Sequence, residues 1–273
     1  MQARRLSFIG AGNMPRSIIS GLVKGGYDPK LITASNPSRP KLDALEKDFG
    51  IVTTQSNHEA CDKGDVVILS VKPQIMADTC KDLIEHCDIQ GKLMVSIAAG
   101  ITTGRLMEML GDYAKVVRTM PNTPSSLSLG MTGLYAPESV DLEDRDFIAF
   151  VLNHVGKTLW VDTDEQINTV IAAAGSSPAY LFLFAQAMQD EAMAMGMSKD
   201  DARLLVQQAL LGSAEMICHN PELELSELRA QVTSKGGTTH EAICTFQDNQ
   251  LESIVSKAMQ AAVRRAGEMA NDF

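Results

Sequence analysis

The segment Leu6-Ser7-Phe8-Ile9-Gly10-Ala11-Gly12-Asn13-Met14-Pro15 decides the fold of the N-terminal half of the chain. Its apolar start predicts a strand and its end opens a helical pattern, so G-x-G-x-x-P falls on the turn between them. There Gly10 permits a tight turn, and Gly12 lets backbone amides at the helix N-terminus approach a pyrophosphate. Pro15 replaces the usual third glycine, and its missing N–H costs little in a first helical turn. We therefore predict a dinucleotide-binding turn made by Gly10, Ala11, Gly12, Asn13 and Met14.

The alternation continues to about residue 118. Apolar runs such as Val66-Val67-Ile68-Leu69 are typical of strands covered on both faces. Short strands separated by longer helices predict βαβ units and a parallel sheet. The expected strands are Arg5–Ile9, Leu31–Ala34, Ile51–Thr53, Asp65–Ser70, Lys92–Ala98 and Ala114–Arg118, and the expected helices are Asn13–Lys24, Arg39–Asp48, Gln74–Cys87 and Thr102–Leu110.

The pattern changes after Trp160, where strand signals almost vanish and helical patterns rich in Met and Ala take over. We therefore predict an α/β Rossmann dinucleotide-binding domain at 1–162, followed by an all-α domain at 163–273. Several of the later helices are apolar around most of their circumference, which a small lone bundle would leave exposed. We expect this domain to dimerise; the alternative is that its helices pack on the first domain. The expected helices are Pro178–Met195, Lys199–Cys218, Glu222–Ala230, His240–Asp248 and Glu252–Asn271.

Composition excludes several classes of protein. The net charge is −10, from 34 acidic against 24 basic residues, which argues against a nucleic-acid partner or an anionic membrane surface. No uninterrupted apolar run of about 18 residues occurs, so no membrane span is expected. The start of the chain lacks a signal-peptide pattern, and the 5 cysteines include no C-x-x-C, so we expect a cytoplasmic protein with reduced thiols. The 5 histidines lack metal-binding spacings, and no metal site is predicted.

The choice of cofactor depends on the segment after the second expected strand. NAD enzymes usually carry an acidic residue there, but Thr33–Arg39 contains none. A carboxylate would repel a 2′-phosphate, whereas Ser35, Asn36 and Arg39 can hold one. We therefore expect NADPH to be preferred, with NADH possible. The alternative for Arg39 is a solvated residue at a helix start.

Five later segments resemble those of one known family. They read V-K-P-Q at 71–74, S-I-A-A-G at 96–100, R-T-M-P-N-T-P at 118–124, G-S-S-P-A-Y at 175–180 and V-T-S-K-G-G-T-T at 232–239. Together they resemble Δ1-pyrroline-5-carboxylate reductases from Leu6 to about Met269. The most specific element is S-x-G-G-T-T entering a helix. Lys235 stands there where the family usually has Pro.

The resemblance implies a Rossmann domain, and a helical domain that builds an intertwined homodimer and often rings of dimers. It also implies NAD(P)H-dependent reduction of a cyclic imine, a small-molecule substrate, to L-proline. The implied cofactor contacts are the first glycine turn with Ser35, Asn57, Val71, Lys72, Pro73 and, along the nicotinamide, Ala98. The implied substrate contacts are Ser234, Gly236, Gly237, Thr238 and Thr239, with Thr239 as the catalytic residue.

The residues support this chemistry independently. Hydride addition to a protonated C=N bond needs positioning rather than a nucleophile or a His–Asp dyad. Gly236-Gly237-Thr238-Thr239 is a second glycine turn into a helix, and such a helix N-terminus can hold a substrate carboxylate. The Thr239 hydroxyl can then hydrogen-bond the imine nitrogen or relay a proton through water. The alternative is that Thr238 and Thr239 only cap the helix.

Two rival functions stay open. One is another NADP-dependent oxidoreductase of similar architecture, such as a hydroxyacid or deazaflavin-linked enzyme; Lys199, Lys235 and Lys257 lie in no matching catalytic motif. The other is a non-catalytic nucleotide-sensing protein, against which the intact Gly236–Thr239 segment argues.

Overall fold

The chain forms two compact units in a computed structural model that describes residues 2–111 and 114–272. One unit comprises Met1–Pro178 together with Ala261–Phe273, and the other comprises Ala179–Gln260. These units reflect how the chain packs, and the domain boundary expected between residues 162 and 163 stays a prediction.

The first unit contains one sheet in the order β3-β2-β1-β4-β5-β6-β7-β8. The first six strands are parallel, and the order 3-2-1-4-5-6 is that of a Rossmann fold, which confirms the expected fold class. The two remaining strands were not among those expected: β7 runs antiparallel to β6, and β8 pairs parallel to β7. The strands are β1 (Leu6–Ile9), β2 (Ile32–Ser35), β3 (Val52–Thr54), β4 (Val66–Leu69), β5 (Leu93–Ser96), β6 (Lys115–Met120), β7 (Gly130–Tyr135) and β8 (Gly156–Trp160).

Helices cover both faces of this sheet because its strands are apolar on both sides. In β1, Leu6 and Phe8 belong to one apolar cluster, which also contains side chains of α1, α2 and α6. Ile9 belongs to a second cluster, with side chains of α3, α4 and α5. The helices are α1 (Asn13–Lys24), α2 (Arg39–Phe49), α3 (Asn57–Lys63), α4 (Met76–His86), α5 (Thr103–Leu110), α6 (Leu142–Asn153) and α7 (Gln166–Val170), the last followed by a π-helical turn, Ile171–Gly175.

Helices alone make up the rest of the described chain, as expected. The second unit has a sparse interior: its buried apolar side chains among the described residues are Ala202, Val206 and Leu228. By contrast, Leu183 is 69% exposed and Met195 is 78% exposed. The helices are α8 (Ser177–Ala194), α9 (Lys199–His219), α10 (Leu225–Gln231), α11 (Thr238–Asp248) and α12 (Leu251–Asp272).

One stretch, Gln166–Ala194, is long and apolar enough to cross a membrane by length and composition. Only 22% of its most apolar window is buried. The same exposure arises when a second protein chain covers such a helix, so length and composition are weak signs of a membrane span.

Candidate cofactor and substrate sites

The carboxyl ends of five strands form one aligned edge of the sheet. Ile9 ends β1 and pairs with Ser35 on one side and Leu69 on the other. Ser35 pairs in turn with Thr54, and Leu69 with Ser96, and each of these residues ends its strand. The strand order reverses at β1, and ligands of open α/β sheets bind outside the carboxyl ends at such a point.

Gly10 follows β1 at this edge and closes the turn. Its φ is +108°, a backbone conformation that residues with a Cβ rarely adopt. A Cβ at this position would lie 2.8 Å from the Ser70 carbonyl oxygen. The Gly10 N–H donates to the Ser35 carbonyl at 3.0 Å, and the Ser70 N–H donates to the Ile9 carbonyl at 2.9 Å, so the end of β1 is tied to both neighbouring strand ends.

Helix α1 begins directly after this turn. Gly12 is its N-cap, with extended backbone and no side-chain cap, and the Arg16 N–H closes the first turn onto the Gly12 carbonyl at 3.2 Å. The amides of Asn13 and Met14 have no acceptor within the helix, because they lie in its first turn. They give this end of α1 the partial positive charge that attracts a phosphate.

Ser35 and Asn57 form a polar pair where β2 and β3 end. Ser35 is fully buried, and its hydroxyl donates to Asn57 Oδ1 at 2.8 Å. Asn57 begins α3, whose N-cap Ser56 accepts the Glu59 N–H at 3.2 Å. The Ser35 hydroxyl is therefore already engaged, and it orients the Asn57 amide. Asn36 donates through Nδ2 to the Ser38 carbonyl and hydroxyl, both at 3.0 Å.

Arg39 begins α2 and points its guanidinium at carboxylates of its own helix. Arg39 Nη2 forms an ion pair with the Asp43 carboxylate, and Glu46 Oε2 lies 3.4 Å from the same nitrogen. The hydrogen bond to Asp43 raises the pKa of Arg39 above its usual range. The side chain is 44% exposed. A phosphate group would have to compete with these two carboxylates for the guanidinium.

The remaining expected cofactor residues follow β4 and β5 at the same edge. Lys72 is exposed and precedes a short 3-10 turn, Pro73–Ile75, while Val71 is half-buried. Ala98 is buried, and its N–H donates to the Ser96 hydroxyl at 3.2 Å. The expected cofactor residues therefore lie in one unit, along or beside the edge made by the strand ends.

The expected substrate residues lie in the other unit, at the start of α11. Gly236 has φ +71°, and the Gly237 N–H donates to the Ser234 carbonyl at 2.9 Å. Gly237 is the N-cap of α11, and no side chain caps this end. Thr238 and Thr239 are exposed in the first helical turn, so neither takes the N-cap position that their alternative role requires. The amides of the first turn have no acceptor within the helix, as at the start of α1.

A buried ion pair next to the sheet edge was not expected from the sequence. Arg118 in β6 is 1% exposed and bonds the carboxylate of Asp164. Asp164 also accepts from the N–H and the hydroxyl of Thr103, both at 2.7 Å, at the start of α5. One carboxylate thus ties β6 to the start of α5. An arginine inside an apolar strand was a signal that a partner exists, but nothing local identified Asp164.

Asn122 explains part of the M-P-N-T-P segment. It is buried, its Nδ2 donates to the Ala174 carbonyl at 3.0 Å, and its Oδ1 accepts the Met131 N–H at 2.9 Å. Ala174 lies in the π-helical turn, so Asn122 ties this turn to β7. A cavity of about 560 Å³ lies beside the turn, lined by Trp160 among others. None of the expected cofactor or substrate residues lines that cavity.

Comparison with protein families supports both halves of this arrangement. A model described as pyrroline-5-carboxylate reductase dimerisation matches residues 164–269. A model described as NADP oxidoreductase, coenzyme F420-dependent, matches residues 5–100. The chain therefore carries a nucleotide-binding domain followed, along the sequence, by a dimerisation domain.

Relatives match the chain over its whole length. It is 57% identical to a pyrroline-5-carboxylate reductase of Vibrio alginolyticus, over 100% of both chains. A solved pyrroline-5-carboxylate reductase of Coxiella burnetii superposes with a TM-score of 0.93 at 40% identity, covering 98% of this chain and 99% of that one. A Plasmodium falciparum pyrroline carboxylate reductase with NADP bound superposes with a TM-score of 0.88 at 25% identity, covering 99% of each chain. The chain belongs to the pyrroline-5-carboxylate reductase family of NAD(P)-dependent oxidoreductases.

Proposed function

We propose that the chain transfers a hydride from NADPH, or less efficiently from NADH, to the C=N bond of 1-pyrroline-5-carboxylate and so forms L-proline. The full-length match to reductases of that name carries this proposal. The aligned strand ends and the first turns of α1 and α11 support it chemically.

The cofactor fits the first unit because its glycine turn is already shaped for it. The space that a Gly10 side chain would need is taken by the Ser70 carbonyl, and Gly12 leaves the start of α1 open. Gly10, Ala11, Gly12, Asn13 and Met14 then hold the pyrophosphate through backbone amides. Val71, Lys72 and Pro73 would also contact the bound cofactor, and Ala98 would contact its nicotinamide.

The residues at the end of β2 support the proposed preference for NADPH. Its last residue is Ser35, followed by Asn36, where an NAD enzyme would usually carry a carboxylate. Ser35 orients the Asn57 amide, and Asn36, Asn57 and Arg39 supply donors for the 2′-phosphate. Arg39 is the cationic member of this set, and it would release Asp43 when it binds the phosphate.

The substrate carboxylate is held by the start of α11 in this proposal. Ser234, Gly236, Gly237 and Thr238 shape that turn, and their backbone approaches the anion. Thr239 is the catalytic residue: its hydroxyl hydrogen-bonds the ring nitrogen and holds the imine in the reactive orientation. Its exposed hydroxyl and the open first turn are the supporting observations.

The protein contributes positioning and exclusion of water to this reaction, and no further catalytic group is needed. When bound, the reduced nicotinamide supplies the hydride. A protonated imine is already electrophilic, so positioning and exclusion of water account for the protein's contribution. Thr239 is a poor acid and therefore orients the nitrogen, or relays a proton from water, rather than donating its own.

We further propose a cytoplasmic homodimer that assembles into a larger ring, without nucleic acid or membrane partners. The second unit exposes many large apolar side chains, which are normally buried at an interface. The match to a dimerisation family model supports a second copy of this chain as the partner that buries them. The 5 cysteines are free thiols, which suits a reducing compartment.

The test uses the purified protein, NADPH and 1-pyrroline-5-carboxylate, and follows both the absorbance of the reduced cofactor and the formation of L-proline. We expect the two signals to change one for one. The controls are a 2-hydroxy acid with NADP⁺ and oxidised coenzyme F420 with NADPH, since the second family match names that coenzyme. Turnover with a control and none with the imine would contradict the proposal.

A further inference from the structure

A group of three potential metal ligands lies between α3 and α4. It consists of His58 on α3 and of Asp82 and His86, one turn apart on α4. One ligand atom from each side chain lies within 4.8 Å of the other two. His58 Nε2 is 2.7 Å from Asp82 Oδ2, and the two imidazole rings stack with centroids 4.6 Å apart. Among the described residues, no other group of His, Cys, Asp and Glu meets this criterion.

We infer that His58, Asp82 and His86 bind a divalent first-row transition metal, such as Zn²⁺ or Ni²⁺, with water completing the coordination. Two imidazoles and one carboxylate suit these metals, whereas Mg²⁺ and Ca²⁺ prefer sites made of oxygen alone. No metal site was expected from the sequence, because the familiar metal-binding spacings are short and His58 lies 24 positions from Asp82.

One contact of His86 indicates which of its two ring nitrogens carries the hydrogen. His86 Nδ1 lies 2.9 Å from the Asp82 carbonyl oxygen. A carbonyl only accepts, so Nδ1 carries the hydrogen and Nε2 keeps the lone pair that a metal needs. Histidine ligands in metal sites commonly donate their other ring N–H in this way.

The imidazole rings of His58 and His86 must rotate out of their stacked arrangement to close the site, because a metal lies in the plane of each ring that binds it. Ligands at bond lengths of 2.0–2.2 Å in a tetrahedral site lie about 3.4 Å apart. The His58–Asp82 pair must open slightly from 2.7 Å, and the ligand atoms of the group already lie within 4.8 Å of one another. The side chains of His58, Asp82 and His86 are 37%, 44% and 52% exposed, so they have room to rotate.

The group is also placed where a metal would connect two helices. His58 follows Asn57, the residue that accepts the Ser35 hydroxyl at the strand edge. A bound metal would fix the first turn of α3 against the last turns of α4. We therefore expect it to stabilise the fold without taking part in hydride transfer.

The test is a calorimetric titration of the purified full-length protein with Ni²⁺ and, separately, with Zn²⁺, together with melting curves. We expect one metal ion per chain and a higher melting temperature in its presence. His86→Gln and Asp82→Asn should each weaken binding by at least 10- to 100-fold, the loss seen when only an outer-shell partner of a metal site is removed. Both side chains are half-exposed, and melting curves without metal will show whether the variants fold.

His219→Gln is the matched control. His219 lies 3.4 Å from Glu215, also one turn apart on a helix, but the pair belongs to no group of three. Its substitution should leave metal binding unchanged. Cys244→Ser should also do so, since Cys244 and His240 form a separate thiol–imidazole pair 3.6 Å apart. Absence of binding in the wild type, or binding that survives both His86→Gln and Asp82→Asn, would overturn the inference.

Discussion

Replacing Gly10 with alanine tests the geometry of the cofactor turn. Its φ of +108° is strained for alanine, at a cost of about 1–3 kcal/mol. The new methyl group would lie 2.8 Å from the Ser70 carbonyl oxygen, so a strand end must also move. For a unit of this size each kcal/mol lowers the melting temperature by about 2–4 °C. We therefore expect Gly10→Ala to melt about 2–12 °C lower from backbone strain alone, with a further loss from the clash.

Two other glycines separate these effects. Gly26 has φ +89° and no atom within 4 Å of a built Cβ, so Gly26→Ala should show the backbone strain without the clash. Gly12 has φ −78°, and its nearest atom would be Pro15 Cδ at 3.9 Å, an ordinary contact. Gly12→Ala should therefore change stability little, because the restriction of the unfolded chain offsets the poorer N-cap that alanine makes. It should weaken NADPH binding, because its methyl group stands where the pyrophosphate approaches the backbone.

The assay measures the melting temperature and the NADPH dissociation constant for Gly10→Ala, Gly12→Ala and Gly26→Ala side by side. We expect Gly10→Ala to lose both stability and affinity, Gly12→Ala to lose affinity alone, and Gly26→Ala to lose stability alone. A Gly10→Ala protein with the melting temperature of the wild type would show that the turn at Gly10 is neither strained by a side chain nor too close to the Ser70 carbonyl. Unchanged NADPH affinity in Gly12→Ala would show that the cofactor does not approach this turn.

Three further predictions concern single side chains. Thr239→Val should lower kcat by about 10- to 100-fold, the scale of one hydrogen bond lost in a desolvated site. Its melting temperature should stay unchanged because Thr239 is not the N-cap of α11. An unchanged kcat would remove Thr239 from the catalytic role. Arg39→Ala should weaken the binding of NADPH about tenfold or more and leave the binding of NADH unchanged. Asp43→Asn removes a competitor for the guanidinium and should therefore strengthen the binding of NADPH. If Arg39→Ala weakens the binding of both cofactors equally, Arg39 does not contact the 2′-phosphate. Burial raises the pKa of the Cys80 thiol to about 12, so it stays protonated at pH 9, and alkylation followed by mass spectrometry should label exposed Cys218 long before Cys80; equal labelling rates in the folded protein would contradict this.

Local patterns were sufficient for much of the nucleotide-binding unit. Helix α1 was expected at Asn13–Lys24 and occupies those residues, with Gly12 and Gly25 as its caps. The turn at Gly10 was placed correctly between β1 and α1, because the apolar run and the glycines are adjacent in the chain. In such places the residues that determine the structure lie within one or two turns of each other.

Features set by distant partners were missed. Strand β7 contains Gly133, and a Cβ there would lie 2.7 Å from the side chain of Val170. Glycine weakens a strand pattern in the sequence, but here the close packing of Val170 requires it. The burial of Ser35 against Asn57 and the pairing of Arg118 with Asp164 are of the same kind. The sequence predicted a cofactor site at the ends of the strands, but not which polar side chains there already hydrogen-bond each other.

The sparse interior of the second unit has a consequence for the life of the chain. A unit whose buried apolar side chains are Ala202, Val206 and Leu228 gains little from folding by itself. Its stability should therefore follow mass action: dilution lowers the melting temperature, and a newly made chain stays vulnerable to proteases until it meets a second copy. The concentration of the protein, as well as its sequence, then decides how much folded enzyme a cell contains.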